Sequence, residues 1–227
     1  MSVPPFVVPR RSHSAYLCNM AYSNFTLKTV VREFGLTEQV VDLFPADIVP
    51  ILPGAWLLET LAKSRKLPLI SEKVRSEMLV MPMLLELKEH NHDRFSVFSG
   101  AFLDVDSTRG LNGECDFMLT LTPDTVSLTG PLFTIVEAKK NEIDTALGQC
   151  AAQLIGAERY NQADGISLPA LYGCVTTGTD WKFMRLTNKT LQIDSGLYFI
   201  NEPARLLGIF QHIIDEFFPV LVPETQL

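Results

Sequence analysis

One apolar run ends in two charged side chains, and this pattern constrains the fold more than any other. The run Leu132-Phe-Thr-Ile-Val136 is followed by Glu137, Ala138 and Lys139. If the run is a buried strand, the two-residue period of a strand places Glu137 and Lys139 on one face and Ala138 on the other. Burying either charge without a partner would be costly. The segment therefore predicts a buried strand whose end carries an ion pair or a bound metal.

A second carboxylate precedes this strand. Asp116 lies in the strand-like segment Glu114 to Thr122, which follows the turn-forming pair Asn112-Gly113. The chain between Asp116 and Glu137 is long enough for a hairpin, so we expect the two carboxylates to be neighbours. Close carboxylates repel each other unless one is protonated or a cation lies between them. Mg²⁺ in proteins takes one or two carboxylates plus waters and substrate phosphate, so we predict a site for Mg²⁺ or Mn²⁺.

Helical patterns flank the strand-like segments on both sides. Apolar residues recur at helical intervals from Glu142 to Tyr160, and this helix carries Gln149. A second pattern, from Ser71 to about His90, contains Pro82, which predicts a kink or two consecutive helices. Glu77 lies at the margin of the apolar stripe of that helix, where a carboxylate could face a site.

The remaining segments complete a mixed α/β pattern. Strands are predicted over Phe95–Leu103, Val126–Leu128, Leu171–Thr177, Trp181–Leu186, Thr190–Ile193 and Leu197–Ile200, with a terminal helix over Glu202–Phe218. The part up to residue 68 is rich in proline. There we predict short helices over Leu27–Phe34, Glu38–Leu43 and Ala55–Lys63. We expect residues 1–68 to form a mostly helical or irregular N-terminal extension packed on a core of residues 69–227.

Composition limits the classes of function. The chain has 227 residues, four scattered cysteines and a net charge of −7, so a disulfide framework, a zinc site and a general DNA-binding protein are disfavoured. The N-terminus has neither the basic start nor the unbroken apolar stretch of a signal peptide, and proline or charge interrupts the longer apolar runs. We expect a cytoplasmic protein without a membrane partner.

The order of these segments resembles a known nuclease superfamily. A helix with a glutamate, a strand with Gly113-Glu-Cys-Asp116, a strand with Glu137-Ala-Lys139 and a helix with Gly148-Gln149 are arranged as in the PD-(D/E)XK superfamily, and the surrounding residues look like a bacterial branch of it. The resemblance covers about residues 71 to 177. It implies a restriction-endonuclease-like core with a mixed central sheet flanked by helices.

The resemblance also assigns roles to individual residues. Asp116 and Glu137 would hold the metal, with the Ala138 carbonyl as a further ligand, and Lys139 would orient or help deprotonate the attacking water. Glu77 matches the helical glutamate that many members place near the metal through water. Gln149 matches a polar helix residue of the branch related to lambda exonuclease. That branch often has a tyrosine four residues later, where this chain has Gln153.

The leading hypothesis is Mg²⁺-dependent hydrolysis of nucleic acid, DNA rather than RNA, by a homodimer or in company with a partner protein. Two alternatives stay open. The chain could be a non-catalytic member of the same fold that serves as a binding or assembly module, or an unrelated α/β protein. In that last case Asp116 would be a turn former, Glu137 and Lys139 a cross-strand ion pair, and Gln149 a solvated helix residue.

Overall fold

The computed structural model of the chain describes residues 21–140 and 142–218. The strands are β1 Thr37–Val41, β2 Ser96–Phe102, β3 Glu114–Thr120, β4 Leu132–Ala138, β5 Leu171–Thr176, β6 Asp180–Thr187, β7 Thr190–Asp194 and β8 Tyr198–Phe199. The α-helices are α1 Leu27–Phe34, α2 Ala55–Ser64, α3 Glu72–Arg75, α4 Met81–His90, α5 Ile143–Ala163 and α6 Pro203–Asp215.

The eight strands form one mixed sheet. Seven of them lie in the order β1-β7-β6-β5-β4-β3-β2, and β8 pairs with β6. The pairs β1 with β7 and β4 with β5 are parallel, while the other pairs are antiparallel. A parallel pair needs a crossover connection, and α5 supplies it between β4 and β5. The predicted α/β class with a mixed sheet flanked by helices is confirmed.

Helices cover both faces of the central strands. One apolar cluster joins the sheet to α2, α4 and α6, and the other joins the opposite face to α1 and α5. Strand β4 lies between these two layers and is buried along its whole length. A strand covered on both faces reads as a continuous apolar run rather than an alternating one, which explains its sequence.

The front of the chain is only partly as predicted. Helices α1 and α2 lie where they were expected, and Gly35 ends α1 in the left-handed conformation. The predicted helix over Glu38–Leu43 is wrong, because Thr37–Val41 forms β1 at the edge of the sheet, parallel to β7. Part of the predicted N-terminal extension therefore belongs to the central sheet. The interpretation of the N-terminus as lacking a signal peptide concerns residues 1–20, which lie outside the described residues.

The helical region before β2 is interrupted, as its proline predicts. Helix α3 passes into a π-helical turn at Ser76–Val80 before α4 begins, and Pro82 occupies the first turn of α4. Backbone N–H groups in the first turn of a helix have no partner within the helix, so a proline there removes no hydrogen bond. Pro82 is therefore tolerated at the start of α4, and the irregular turn lies before it. The predicted strand over Val126–Leu128 is wrong, since these residues lie in an irregular connection between β3 and β4. In the described ranges, no helix is both long enough and apolar enough to cross a membrane.

Candidate metal centre

The register of two strands brings the two predicted carboxylates together. In the antiparallel pair of β3 and β4, Phe117 lies opposite Val136 and Met118 opposite Ile135. Continuing this register by one residue places Asp116 opposite Glu137, and directly opposed side chains of a pair lie on the same face of a sheet. Asp116 Oδ2 also accepts a hydrogen bond of 2.7 Å from the backbone N–H of Ala138.

Three donors surround the Glu137 carboxylate. Oε1 accepts hydrogen bonds from Lys139 Nζ and from Gln149 Nε2, both at 2.6 Å. Oε2 accepts a hydrogen bond of 2.7 Å from Gln153 Nε2. The two glutamines are four residues apart on α5, so both reach the same face of the sheet. The structure thus places Lys139 and Gln149, both predicted site residues, in contact with the Glu137 carboxylate. Asp116 lies opposite Glu137 on the facing strand.

Burial shifts the pKa values of the charged side chains at this site. Glu137 is only 2% exposed. Burial and then the neighbouring Asp116 carboxylate raise the pKa of Glu137 to about 7, although Lys139 and Gln153 act in the opposite direction. Burial also raises the pKa of Asp116, against the stabilising hydrogen bond from Ala138. Burial lowers the pKa of Lys139, but the Glu137 and Asp116 carboxylates outweigh it and leave that pKa above its usual value.

The residues present fit a divalent cation. A carboxylate has about four lone-pair sites, and the hydrogen bonds described above occupy three on Glu137 and one on Asp116. Asp116 and Glu137 therefore keep free acceptor positions, and a cation between them would offset the cost of burying their negative charges, which is the main cause of both raised pKa values.

The backbone of β4 adds a further oxygen. The N–H of Lys139 donates to the Thr176 carbonyl of β5 at 2.7 Å. Because a trans peptide points its N–H and C=O in opposite directions, the Ala138 carbonyl points away from β5, toward the β3 side where Asp116 lies. The carbonyl predicted as a ligand is thus directed to the same side as the carboxylate.

The described ranges contain no group of three or more histidine, cysteine, aspartate and glutamate side chains close enough to hold a metal ion. Two carboxylates with a carbonyl, waters and a substrate phosphate would still complete a magnesium shell. This chemistry would differ from a zinc site, which needs four protein ligands or three with an open position.

Glu77 is not placed with the other predicted residues. Its side chain is 59% exposed and lies 3.9 Å from Lys73 in a salt bridge across one helical turn. Another glutamate of the same helical region lies nearer to the centre. Glu72, in the first turn of α3, accepts a hydrogen bond of 3.2 Å from the Lys140 backbone N–H, and its charge raises the pKa of Asp116.

Sequence reasoning missed two residues near the centre. In the sequence Gln153 stands out only as a departure from a tyrosine, although its spacing of four from Gln149 places both amides on one helix face. Glu72 lies in the first turn of a helix, where acidic residues are common for reasons unrelated to catalysis. The helical spacing of apolar residues does not indicate a role for Glu72. Its contact with Lys140 depends on how α3 packs against the end of β4.

An open recess adjoins the lysine of the site. Its described lining consists of Glu72, Lys139, Lys140, Glu142 and Thr145. Lys139 therefore lies between the recess and the buried Glu137 carboxylate. A phosphate in the recess would meet two lysines and two glutamates, so a cation would be needed to offset the carboxylates.

Gly148, next to Gln149, has a packing role. A Cβ atom at Gly148 would overlap the backbone of Thr26 and Leu27, which crosses α5 at this point. Glycine is therefore required for the close approach of the front segment to α5. This contact fixes the helix turn that carries Gln149.

Neither a family model nor a curated protein sequence matches the chain. The geometry of Asp116, Glu137, Lys139 and the two glutamines is consequently the basis for any functional conclusion.

Proposed function

We propose that the protein is a Mg²⁺-dependent phosphodiesterase that hydrolyses nucleic acid, with DNA as its substrate. The observation that supports this most is the grouping of two carboxylates on facing strands with a lysine that contacts one of them. Structural ion pairs need one acid and one base, whereas this site contains a buried and a half-buried acid for one lysine. The excess negative charge favours a cation site.

The element order supports a restriction-endonuclease-like core. An interrupted helix over residues 72–90, the strands β2, β3 and β4, the crossover helix α5 and the strand β5 follow one another along the chain. Asp116, Glu137-Ala-Lys139 and Gln149 lie on these elements in the order that the resemblance to the PD-(D/E)XK superfamily implies. Glu72 is the better placed helical glutamate, and Glu77 stays a prediction.

The residues have separable roles in this mechanism. Asp116, Glu137 and the Ala138 carbonyl would hold the metal, which supplies an activated water and polarises the phosphate. Lys139 would orient the water and stabilise negative charge as the phosphodiester bond breaks. Gln149 and Gln153 hold the Glu137 carboxylate in place. Burial of Glu137 keeps bulk water away from one side of the centre, which strengthens each of these interactions.

A cleavage assay tests the proposal. The purified protein should cut linear, circular or single-stranded DNA in the presence of Mg²⁺ or Mn²⁺. Asp116→Ala, Glu137→Ala and Lys139→Ala should each abolish cutting while the protein stays folded by circular dichroism. Asp93→Asn is a matched control, because Asp93 is an exposed carboxylate that pairs with Lys88 at 2.6 Å. Cutting that survives all three active-site substitutions would refute the proposal.

A non-catalytic binding or assembly module is the second candidate. The observation in its favour is that Glu137 already has donors at both oxygens and that acidic residues line the recess. Isothermal titration with Mn²⁺ separates the two candidates. Absence of binding at millimolar Mn²⁺ would favour the module, whereas binding that Asp116→Asn removes would favour the enzyme. The predicted homodimer and the cytoplasmic location stay predictions.

A further inference from the structure

Gln153 is a fully buried amide of which only one end is paired. Its side chain has no exposed surface, and its Nε2 donates to Glu137 Oε2 at 2.7 Å. Its Oε1 is buried and has no hydrogen-bond partner among the described residues. An unpaired buried amide oxygen destabilises a fold, so an apolar side chain of similar volume would remove that cost.

The orientation of this amide follows from the chemistry of its partner. Glu137 Oε2 is the acceptor of this hydrogen bond, so the amide presents Nε2 to Glu137 and directs Oε1 away from it. The hydrogen bond to the carboxylate therefore explains why a polar residue stands at this buried position. The unpaired oxygen is the consequence of keeping that donor.

The two oxygens of Glu137 are not equivalent. Lys139 and Gln149 together fill both lone-pair positions of Oε1. Gln153 occupies one position of Oε2 and leaves the other free. In this arrangement Oε2 is the oxygen with room for a metal ion, and Gln153 is the residue that sets the direction of its remaining lone pair.

We propose that Gln153 is a positioning residue that orients Glu137 Oε2 toward the metal, whereas Gln149 supports the opposite oxygen. This inference rests on the proposed function, since it concerns the metal site of that reaction. The two glutamines lie on the same helix face, but they have different effects on the affinity for the metal. Gln153 controls the affinity for the metal through the ligand atom itself, and Gln149 acts one atom further away.

The test compares Gln153→Met with Gln149→Met in the chain of 227 residues. Methionine keeps the length and volume of glutamine and removes the donor. Isothermal titration with Mn²⁺ alone, without nucleic acid, measures the dissociation constant. Loss of a residue that orients a metal ligand typically weakens metal binding about 10–100-fold. We expect that loss for Gln153→Met and a change of less than about 3-fold for Gln149→Met.

Thermal melting without metal separates positioning from a general role in packing. Gln153→Met removes one hydrogen bond and one unpaired buried oxygen, so its melting temperature should stay close to that of the wild type. Gln153→Leu serves as a second variant if the methionine variant does not fold. In the cleavage assay, both substitutions at 153 should raise the Mn²⁺ concentration needed for half-maximal rate.

The outcomes distinguish this inference from the proposed function. If the wild type binds Mn²⁺ and Gln153→Met binds it equally tightly, the positioning role is wrong while the metal site stands. Equal weakening by Gln149→Met would also contradict the asymmetry between the two oxygens. If the wild type binds no Mn²⁺, the proposed function itself fails.

Discussion

Glu137 and Asp194 are both buried carboxylates, but their surroundings differ. Asp194, at the end of β7, is 1% exposed and Glu137, at the end of β4, is 2% exposed. Asp194 accepts from the backbone N–H groups of Leu43 and Gly196 at Oδ1 and from the Tyr198 hydroxyl at Oδ2. Glu137 instead accepts from a lysine and two glutamines and has Asp116 on the facing strand.

The comparison separates a structural carboxylate from the proposed metal ligand. All three donors of Asp194 are neutral, and they tie the connection after β1 and the turn before β8 to the end of β7. Glu137 gains no such connection between loops, and its nearest carboxylate raises its pKa. Burial alone therefore does not indicate function in this protein. What distinguishes the candidate site is the second carboxylate, since Asp116 and Glu137 share a single lysine.

The largest effect should come from Lys139, which contacts the Glu137 carboxylate. Lys139→Met removes a positive charge that would stabilise the transition state, and loss of one such donor typically lowers kcat about 10²–10³-fold. Metal affinity should be retained, because the substitution frees a lone pair on Glu137 rather than removing a ligand. Single-turnover cleavage together with Mn²⁺ titration tests this. A loss of metal binding with unchanged kcat at saturating metal would contradict it.

The pH dependence of stability should carry the signature of Glu137. The folded protein holds the Glu137 proton up to a pH of about 7, while the unfolded chain loses it near the ordinary pKa of 4.5. The native state therefore binds more protons between these values, and its stability falls as the pH rises from 5 to 8. The contribution of Glu137 to this fall is about 2 kcal/mol.

Urea unfolding of the metal-free protein at several pH values measures this effect. The same titration with Glu137→Gln is the control, since that variant lacks the titrating group and should lose this part of the slope. Added Mn²⁺ should reverse the trend, because the metal binds the ionised carboxylate and stabilises the native state increasingly above pH 7. A wild-type slope identical to that of Glu137→Gln would refute the assignment.

Replacing the structural carboxylate should lower the stability of the protein and leave its activity unchanged. Asp194→Asn leaves one acceptor oxygen where the structure has two, and its amide N–H₂ faces a donor. An unsatisfied buried group of this kind typically costs about 1–3 kcal/mol. The free energy of unfolding should fall by that amount, while cleavage by the folded fraction stays near the wild-type rate. An Asp194→Asn variant as stable as the wild type would remove the distinction between the two sites.

Asp116→Asn should give the smallest change, with the reverse sign. The asparagine oxygen can still accept from Ala138, and the substitution removes the repulsion with Glu137. We expect the metal-free protein at pH 8 to gain about 1 kcal/mol, as is common when an active-site charge is removed. Chemical unfolding with and without Mn²⁺ checks this. A loss of stability would show that Asp116 supports the fold rather than the site.

Local sequence predicted β4 and α5 well and the edge of the sheet poorly. The strand Leu132–Ala138 lies where it was predicted, because burial on both faces leaves a continuous apolar run. A helix was predicted over Glu38–Leu43, yet Thr37–Val41 forms a strand that pairs with β7 far along the chain. Four of its five residues are exposed, so no hydrophobic alternation marks it as a strand. Its conformation depends on a distant partner.

The candidate site shows the same division. The two-residue period of a strand was sufficient to put Glu137 and Lys139 on one face, and the hairpin made Asp116 available as a neighbour. The preference for Glu72 over Glu77 required the packed position of α3, because helical periodicity favoured the margin of the apolar stripe. Glu72 lies instead at the start of its helix, beside Lys140.

Periodicity therefore determined which groups share a face, since side-chain direction along a strand or helix follows from backbone geometry alone. The tertiary structure decided which atoms meet. The apolar packing of α5 against the sheet brings Gln149 to one oxygen of Glu137 and Gln153 to the other. Those distances depend on contacts between segments remote in sequence, so no local pattern contains them.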